Sequence, residues 1–222
     1  MAGKGRRVIF WDSDGVLVET ETLLYDATRQ VLEEVGIHIS QSRYAELALI
    51  RGTSVLESIG SDRLNKDEIH ALRSHRDRIV LELLKNRTVK IGGVEEALTA
   101  LRPYYRMAVV TGCTRANLTC IHESAGLTKF FELAVTREDY TYRKPHPDPY
   151  VTALERCGVS ARECIAVEDS RVGVSSAVAA GILCYAIPGV LTRVSPIPGA
   201  AKTFRSIDEL ADELLTSALM CS

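Results

Sequence analysis

Apolar residues along the chain follow two patterns, short continuous runs and longer stretches with helical spacing. The first run, Val8 to Trp11, is β-branched and aromatic, which predicts a buried strand. Later runs of the same kind predict strands over Met107–Val110, Phe131–Val135, Cys164–Val167 and Ile182–Ala186. Helical stretches separate these runs, and such alternation predicts a parallel sheet with helices on both faces.

The segment between the first two predicted strands has a purely helical pattern. Its apolar spacing predicts helices over Thr20–Val35, Ser42–Ile50, Ser54–Ile59 and Asn65–Asn86. About seventy residues without a strand are too many for a simple crossover within one sheet. We therefore expect an α/β protein with a Rossmann-like parallel-sheet core, residues 1–18 and 89–222, interrupted by an inserted helical bundle, residues 19–88.

Composition and charge argue against several classes of function. The 222 residues are 46% hydrophobic and 25% charged, and the net charge of −2 gives no reason to expect nucleic acid or an anionic membrane as a partner. No apolar run approaches the ~20 residues of a membrane span, and we expect no signal peptide. None of the six cysteines belongs to a C-x-x-C pair, which argues against a zinc site. We expect a cytoplasmic monomer in a reducing setting.

Two aspartates one residue apart, Asp12 and Asp14, directly follow the first predicted strand. Ligands of open α/β sheets bind at this end of the strands, and residues i and i+2 of an extended chain point the same way. Carboxylates that face one site repel each other unless a cation or a proton separates them. The plain alternative is an Asp-Ser-Asp-Gly turn that only closes the strand.

A second acidic pair, Glu168 and Asp169, ends a later predicted strand in the same way. The alternative here is a helix N-cap, in which Asp169 or Ser170 bonds the first turn of the next helix. Together with Asp12 and Asp14, Asp169 would complete a set of hard oxygen ligands suited to Mg²⁺.

Two further groups suit the binding of phosphate. Thr111-Gly112 offers a hydroxyl and a free N–H before a predicted helix, although Thr111 or Thr114 capping that helix is the simpler explanation when taken alone. Lys144 lies in a turn with three prolines, residues 143–149, which would either fix its compact charge or form a solvated basic loop. Four such clusters in one fold are hard to attribute to capping.

Over nearly the whole chain, these clusters resemble the motifs of the haloacid dehalogenase superfamily of phosphatases and phosphotransferases. Asp12 to Leu17 resembles the first motif, Thr111 the second, Lys144 the third, and Glu168-Asp169-Ser170 the acidic fourth. The helical bundle is similar to the α-helical cap domain of this superfamily. Aspartate at position 14 is similar to phosphatases and mutases and argues against dehalogenases and phosphonatases.

The resemblance implies roles for the reacting groups. Asp12 would attack phosphorus and form an aspartyl phosphate. Asp14 would protonate the leaving group and then activate water, so its pKa should lie above the ordinary value of about 3.9. Thr111 and Lys144 would stabilise charge on the phosphoryl oxygens.

The resemblance also implies a metal site. Asp12, the backbone carbonyl of Asp14, and Asp169 would hold Mg²⁺. Glu168 would either orient metal-bound water in an outer shell or pair with Lys144, and both roles stay open at this point.

Residues that recognise the substrate are less clearly indicated. Gly112 would contact the phosphate, and Arg51 and His75 are candidates on the cap, where a solvated surface explains them equally well. Cys113, beside the second motif, is expected to pack rather than react. We expect hydrolysis of a small phosphorylated metabolite, such as a sugar phosphate or phosphoglycolate. The alternatives are a β-phosphoglucomutase-like sugar phosphomutase and a regulatory binder without turnover.

Overall fold

All of the predicted strands are present, and a further short strand extends the sheet. In the computed structural model, which describes residues 7–84, 89–189, 191–192 and 197–220, the strands are β1 (Val8–Trp11), β2 (Arg106–Val110), β3 (Leu133–Val135), β4 (Cys164–Glu168), β5 (Leu183–Ala186) and β6 (Lys202–Thr203). Neighbouring strands pair in parallel in the order β3-β2-β1-β4-β5-β6. The fold class is therefore the predicted one, with β1 between β2 and β4.

Alternate residues of the strands belong to two separate cores, one on each face of the sheet. Ile9 and Trp11 pack in the core that includes α5 (Val94–Leu101), α6 (Arg115–Ser124) and α9 (Ile207–Met220). Val8 and Phe10 pack in the core that includes α7 (Asp148–Cys157) and α8 (Arg171–Ala179). Burial on both faces explains why these strands read as continuous apolar runs rather than as alternating ones.

In the described residues between β1 and α5 there are four α-helices, and we call them the helical insertion. They are α1 (Glu21–Glu33), α2 (Gln41–Ala45), α3 (Val55–Gly60) and α4 (Lys66–Leu84), and a π-helical turn, Glu46–Ile50, continues α2. They share an apolar core of their own that contains Leu32, Leu56 and Ile69. The predicted end of α4 at Asn86 falls outside the described residues, and the division into core and cap domains stays a prediction.

The two ends of the helical insertion lie next to each other. Val18 and Lys90 form an antiparallel bridge, and the N–H of Glu19 donates to the Val89 carbonyl at 2.7 Å. Both connections of the helical insertion therefore run side by side, just beyond the carboxyl end of β1. Within the described residues, no helix is both long and apolar enough to cross a membrane.

Candidate active site

Lys144 is the centre of a buried polar network at the carboxyl ends of the strands. Its ammonium group donates to Asp12 Oδ1 at 2.8 Å, to Glu168 Oε1 at 2.6 Å and to the Val110 carbonyl at 2.9 Å. All three of its donors are thus used. Burial alone would lower the pKa of Lys144, but the charges of Asp12 and Glu168 outweigh it and raise the pKa above its ordinary value. Lys144 is therefore a fixed cation.

The proline-rich turn holds Lys144 in place through its own hydrogen bonds. The Asp148 carboxylate accepts the backbone N–H groups of Thr141 and Tyr142, both at 2.9 Å. The Ser176 hydroxyl donates to the His146 carbonyl at 2.6 Å and ties the turn to α8. The Lys144 side chain is only 12% exposed, so this segment is not a solvated basic loop.

Glu168 pairs with Lys144 and has further partners that the sequence did not reveal. Its Oε1 also accepts the Tyr150 hydroxyl at 2.6 Å, while its Oε2 is buried without a hydrogen-bond partner among the described residues. Gly173, in the first turn of α8, leaves room for this carboxylate, because a methyl group there would overlap it. A glycine inside a predicted helix was the available signal, whereas nothing in the sequence marked Tyr150.

Asp14 is held apart from this network by two hydroxyls. Thr20 and Thr111 each donate to its carboxylate, Thr111 at 3.3 Å. Burial, followed by the nearby charge of Asp12, raises the pKa of Asp14 to about 6, although both hydrogen bonds act in the opposite direction. A carboxyl group with this pKa can give and take a proton near neutral pH. The hydrogen bond from Thr20 to Asp14, like that from Tyr150 to Glu168, was not predicted from the sequence.

Helix capping and the site use different residues. Thr114 accepts the Asn117 N–H and caps α6, and Ser170 accepts the Gly173 N–H and caps α8. Thr111 instead bonds Asp14 and accepts the Cys113 N–H at 3.0 Å. The capping alternative is therefore wrong for both Thr111 and Asp169.

Asp12, Glu168 and Asp169 form a buried acidic cluster. Each offers a carboxylate oxygen, and these atoms lie within 4.8 Å of one another. Burial, together with the charge of Asp12, raises the pKa values of Glu168 and Asp169. A divalent cation relieves this kind of repulsion, and an all-oxygen donor set with one unpartnered atom fits a hard metal ion. The cluster can thus hold a metal. That the backbone carbonyl of Asp14 is also a metal ligand stays a prediction.

A cavity of about 340 Å³ lies between these groups and the helical insertion. Asp12, Asp14, Gly112 and Lys144 line it from the side of the sheet. From the insertion it is lined by polar residues that include Glu21, Tyr44, Thr53, Arg73 and Arg76. Thr111 is fully buried and reaches the cavity only through its bond to Asp14.

Two predicted substrate contacts lie outside this cavity. Arg51 pairs with Glu46 on the surface of the insertion, and His75 lies 3.3 Å from Glu34. Cys113 does line the cavity, but burial raises the pKa of its thiol far above the ordinary value, so it stays neutral. A packing role for Cys113 agrees with that environment.

Comparisons with known proteins agree with this geometry. Residues 8–187 match the family model described as haloacid dehalogenase-like hydrolase. The phosphorylated carbohydrates phosphatase of Thermotoga maritima is 27% identical, over 78% of this chain and 81% of that protein. The fructose-1-phosphate phosphatase YqaB of Escherichia coli is 27% identical, over 78% of this chain and 92% of that protein.

A solved structure extends the likeness to the fold. Variant CbbY from Rhodobacter sphaeroides, in complex with xylulose-(1,5)-bisphosphate, superposes with a TM-score of 0.81 at 24% identity, covering 92% of this chain and 96% of the other. Family match, relatives and fold lead to one conclusion. The chain belongs to the haloacid dehalogenase-like hydrolases, among the phosphatases of that family.

Proposed function

We propose that the protein is a Mg²⁺-dependent phosphatase that hydrolyses a small phosphate monoester through a phosphorylated Asp12. The observation that carries the proposal is the contrast between two neighbouring carboxyl groups in one cavity. Asp12 is held by the fixed cation Lys144, whereas Asp14 is held by two hydroxyls and has a pKa of about 6. One group suits nucleophilic attack, and the other suits proton transfer.

In the first step an Asp12 carboxylate oxygen forms a bond to phosphorus as the bond to the leaving oxygen breaks. Asp14 gives its proton to that leaving oxygen, so the alcohol departs neutral. In the second step Asp14 takes a proton from a water molecule, whose oxygen attacks phosphorus and releases Asp12 as a carboxylate. Asp14 ends protonated again, and inorganic phosphate leaves.

The remaining groups position the reaction. Lys144 fixes the orientation of Asp12, and its charge stabilises the phosphoryl oxygens. Thr111 orients Asp14, and Gly112 lines the same cavity. Mg²⁺ bound at Asp12, Asp169 and the Asp14 carbonyl, with Glu168 beside it, would neutralise the repulsion between these carboxylates and the phosphate dianion.

The helical insertion would act as the cap that covers the cavity and contacts the leaving group. Residues 19–88 are our proposed cap domain, and residues 1–18 and 89–222 are the core. Relatives that act on phosphorylated carbohydrates and fructose 1-phosphate, and the related structure in complex with xylulose-(1,5)-bisphosphate, support a phosphorylated carbohydrate or a related small molecule as substrate.

Replacement of the nucleophile tests the proposal. Asp12→Asn should lower phosphate release from a panel of phosphorylated metabolites by several orders of magnitude, while circular dichroism reports an intact fold. Rapid acid quenching of the wild type should yield a phosphorylated peptide that contains Asp12. Near-wild-type release by a folded Asn variant would contradict the mechanism. Phosphate that reappears on a second sugar position, without free phosphate, would instead identify a phosphomutase.

A further inference from the structure

Tyr150 lies beside the Lys144 network and contacts both members of the ion pair between Lys144 and Glu168. Its hydroxyl donates to Glu168 Oε1 at 2.6 Å, and the Lys144 ammonium lies 5.3 Å from the centre of its ring. The ring also packs against Phe10 of β1, two residues before Asp12, with the ring centres 6.3 Å apart. Tyr150 thus joins α7 to the strand that carries the proposed nucleophile.

Tyr150 has no direct route to a substrate. It is fully buried, and it does not line the cavity. A residue in this position can influence the reaction only through the groups that it holds. Any part that Tyr150 plays in phosphoryl transfer is therefore one of positioning.

The network divides one cation between two carboxylates. Lys144 donates to Asp12 Oδ1 at 2.8 Å and to Glu168 Oε1 at 2.6 Å, and its third donor is used by a backbone carbonyl. Among the described residues, the Asp12 carboxylate accepts from the Lys144 side chain alone, whereas Glu168 Oε1 also accepts the Tyr150 hydroxyl. Tyr150 therefore gives a second donor to the carboxylate that does not react, and it adds no charge.

Loss of that hydroxyl would leave both carboxylates dependent on one ammonium group. Glu168 itself has little room to move, because its carboxylate fills the space that a methyl group at Gly173 would need. Charge-assisted hydrogen bonds are the strong ones, so the flexible ammonium of Lys144 would move towards Glu168. Asp12 would then lose the donor that fixes its orientation.

Resting on the proposed phosphatase activity, we propose that Tyr150 is a positioning residue for the nucleophile, because its hold on Glu168 keeps Lys144 on Asp12. The hydroxyl then governs the rate at which Asp12 attacks phosphorus and leaves substrate binding unaffected. The alternative is that the hydroxyl only satisfies a buried carboxylate. In that case its loss lowers stability, but the folded protein reacts at the normal rate.

The test follows the first turnover of p-nitrophenyl phosphate, with the enzyme in excess and Mg²⁺ present. Nitrophenolate leaves readily without a proton, so its absorbance reports attack by Asp12. Tyr150→Phe keeps the ring and removes the hydroxyl, and it should lower the maximal rate constant by about tenfold or more, the usual effect of losing a hydrogen bond to a charged group. The enzyme concentration at half of the maximal rate should stay within about twofold of the wild-type value.

Tyr105→Phe is the matched control. The Tyr105 side chain is also buried, and its hydroxyl donates to the Leu214 carbonyl of α9 at 3.0 Å, at residues that do not line the cavity. Urea unfolding should show a loss of stability in both variants, since each loses one buried hydrogen bond. Only Tyr150→Phe should lower the rate constant of the folded enzyme.

A measurement without substrate or metal follows the Lys144 ammonium directly. Nitrogen-15 NMR of lysine side chains detects an ammonium group that is held by three hydrogen bonds, and Lys144→Arg identifies its signal. That signal should shift in Tyr150→Phe and stay in place in Tyr105→Phe.

A rate constant within about twofold of the wild type in folded Tyr150→Phe overturns the inference and leaves the proposed function intact. So does an equal fall in Tyr105→Phe, an effect on substrate binding alone, or an unmoved Lys144 signal. A Tyr150→Phe variant that does not fold assigns the hydroxyl a structural role and also overturns the inference. If the wild type releases phosphate neither from p-nitrophenyl phosphate nor from the panel of metabolites, the proposed function is contradicted, and the inference with it.

Discussion

The two sides of the cavity satisfy their charged groups in different ways. On the sheet side, Lys144 and Glu168 are 12% and 1% exposed and share one network. On the insertion side, Arg73 pairs with Glu57 at 2.5 Å, but these side chains are 32% and 59% exposed. Buried pairs are costly to break, whereas exposed pairs contribute little. The buried network therefore fixes the geometry of the sheet side, whereas the exposed pair on the insertion side constrains its neighbours little.

The largest effect should follow removal of the metal. EDTA should abolish phosphate release, and excess Mg²⁺ should restore it, because the acidic cluster of Asp12, Glu168 and Asp169 cannot accept a phosphate dianion without a cation. Ca²⁺ should restore activity poorly, since its larger coordination shell misplaces the nucleophile. Full activity in a metal-free assay would contradict the metal site.

A substitution in the cluster sharpens this prediction. Asp169→Asn should raise the Mg²⁺ concentration for half-maximal activity by at least tenfold. Asp77→Asn changes a carboxylate that also lines the cavity but bonds Arg76, so it serves as the control and should not alter the requirement.

The buried network should respond far more strongly than a surface pair of the same type. Lys144→Met leaves Asp12 and Glu168 unpaired and should cost about 3–5 kcal/mol of unfolding free energy, along with nearly all activity. Lys202→Met breaks a pair with Glu213 that is also 2.6 Å long but close to half exposed, and it should leave the free energy of unfolding nearly unchanged. Urea unfolding measures both, and equal costs would refute the comparison.

A buried histidine behind the first motif should give the fold a pH dependence. The Ser13 hydroxyl lies 2.9 Å from His122 Nε2, and burial lowers the pKa of His122 from 6.5 to about 4. The folded state thus favours the neutral ring. The free energy of unfolding is therefore highest, as far as His122 is concerned, above pH 6.5. It decreases as pH falls towards 4, by a total of about 3 kcal/mol.

Comparison with a variant isolates this effect from other titrations. His122→Gln keeps a polar group beside Ser13 but cannot take up the proton. The difference in unfolding free energy between wild type and variant should therefore shrink between pH 6.5 and pH 4. A difference that is constant with pH would rule out a buried neutral histidine.

The glycine pair at the return from the insertion should separate packing from hinge motion. Gly93 has a φ of +80°, and a methyl group there would overlap the Asp208 carboxylate, whereas one at Gly92 would meet nothing within 4 Å. Gly93→Ala should cost about 1–2 kcal/mol, and Gly92→Ala a few tenths at most. The values of kcat and KM, corrected for the folded fraction, test for a hinge. If they change in Gly92→Ala but not in Gly93→Ala, a hinge at position 92 is favoured.

The smallest effects are expected at the two surface residues of the insertion. Arg51→Ala and His75→Ala remove side chains that pair on the surface and do not line the cavity. Each should change stability by less than about 0.5 kcal/mol and leave kcat/KM within twofold. A tenfold loss of kcat/KM on phosphate esters in either variant would show that the replaced side chain contacts the substrate.

The sequence predicted the sheet side of the site better than the insertion side. Asp12, Glu168 and Asp169 follow apolar runs that predict buried parallel strands, so their meeting point follows from topology. The insertion offers helical spacing alone. This spacing predicts that α4 is a helix, but it does not predict whether the His75 side chain faces the cavity or the surface. Thr20 bonds Asp14 six residues away, across the loop that follows β1, and Tyr150 on α7 bonds Glu168 on β4. No pattern of apolar spacing marks either contact. The two-residue strand β6 has no apolar run and was missed for that reason.

The bridge between Val18 and Lys90 marks a place where the helical insertion could be exchanged for another one. Since the insertion departs and returns at neighbouring residues, its two ends are as close as those of a surface loop. Sequence of another length can close the same gap at little additional entropic cost. One contiguous stretch of the gene can therefore be replaced while Asp12 and Asp14 keep their places beside β1. With the insertion as the proposed cap, such a replacement would change which leaving group is accepted.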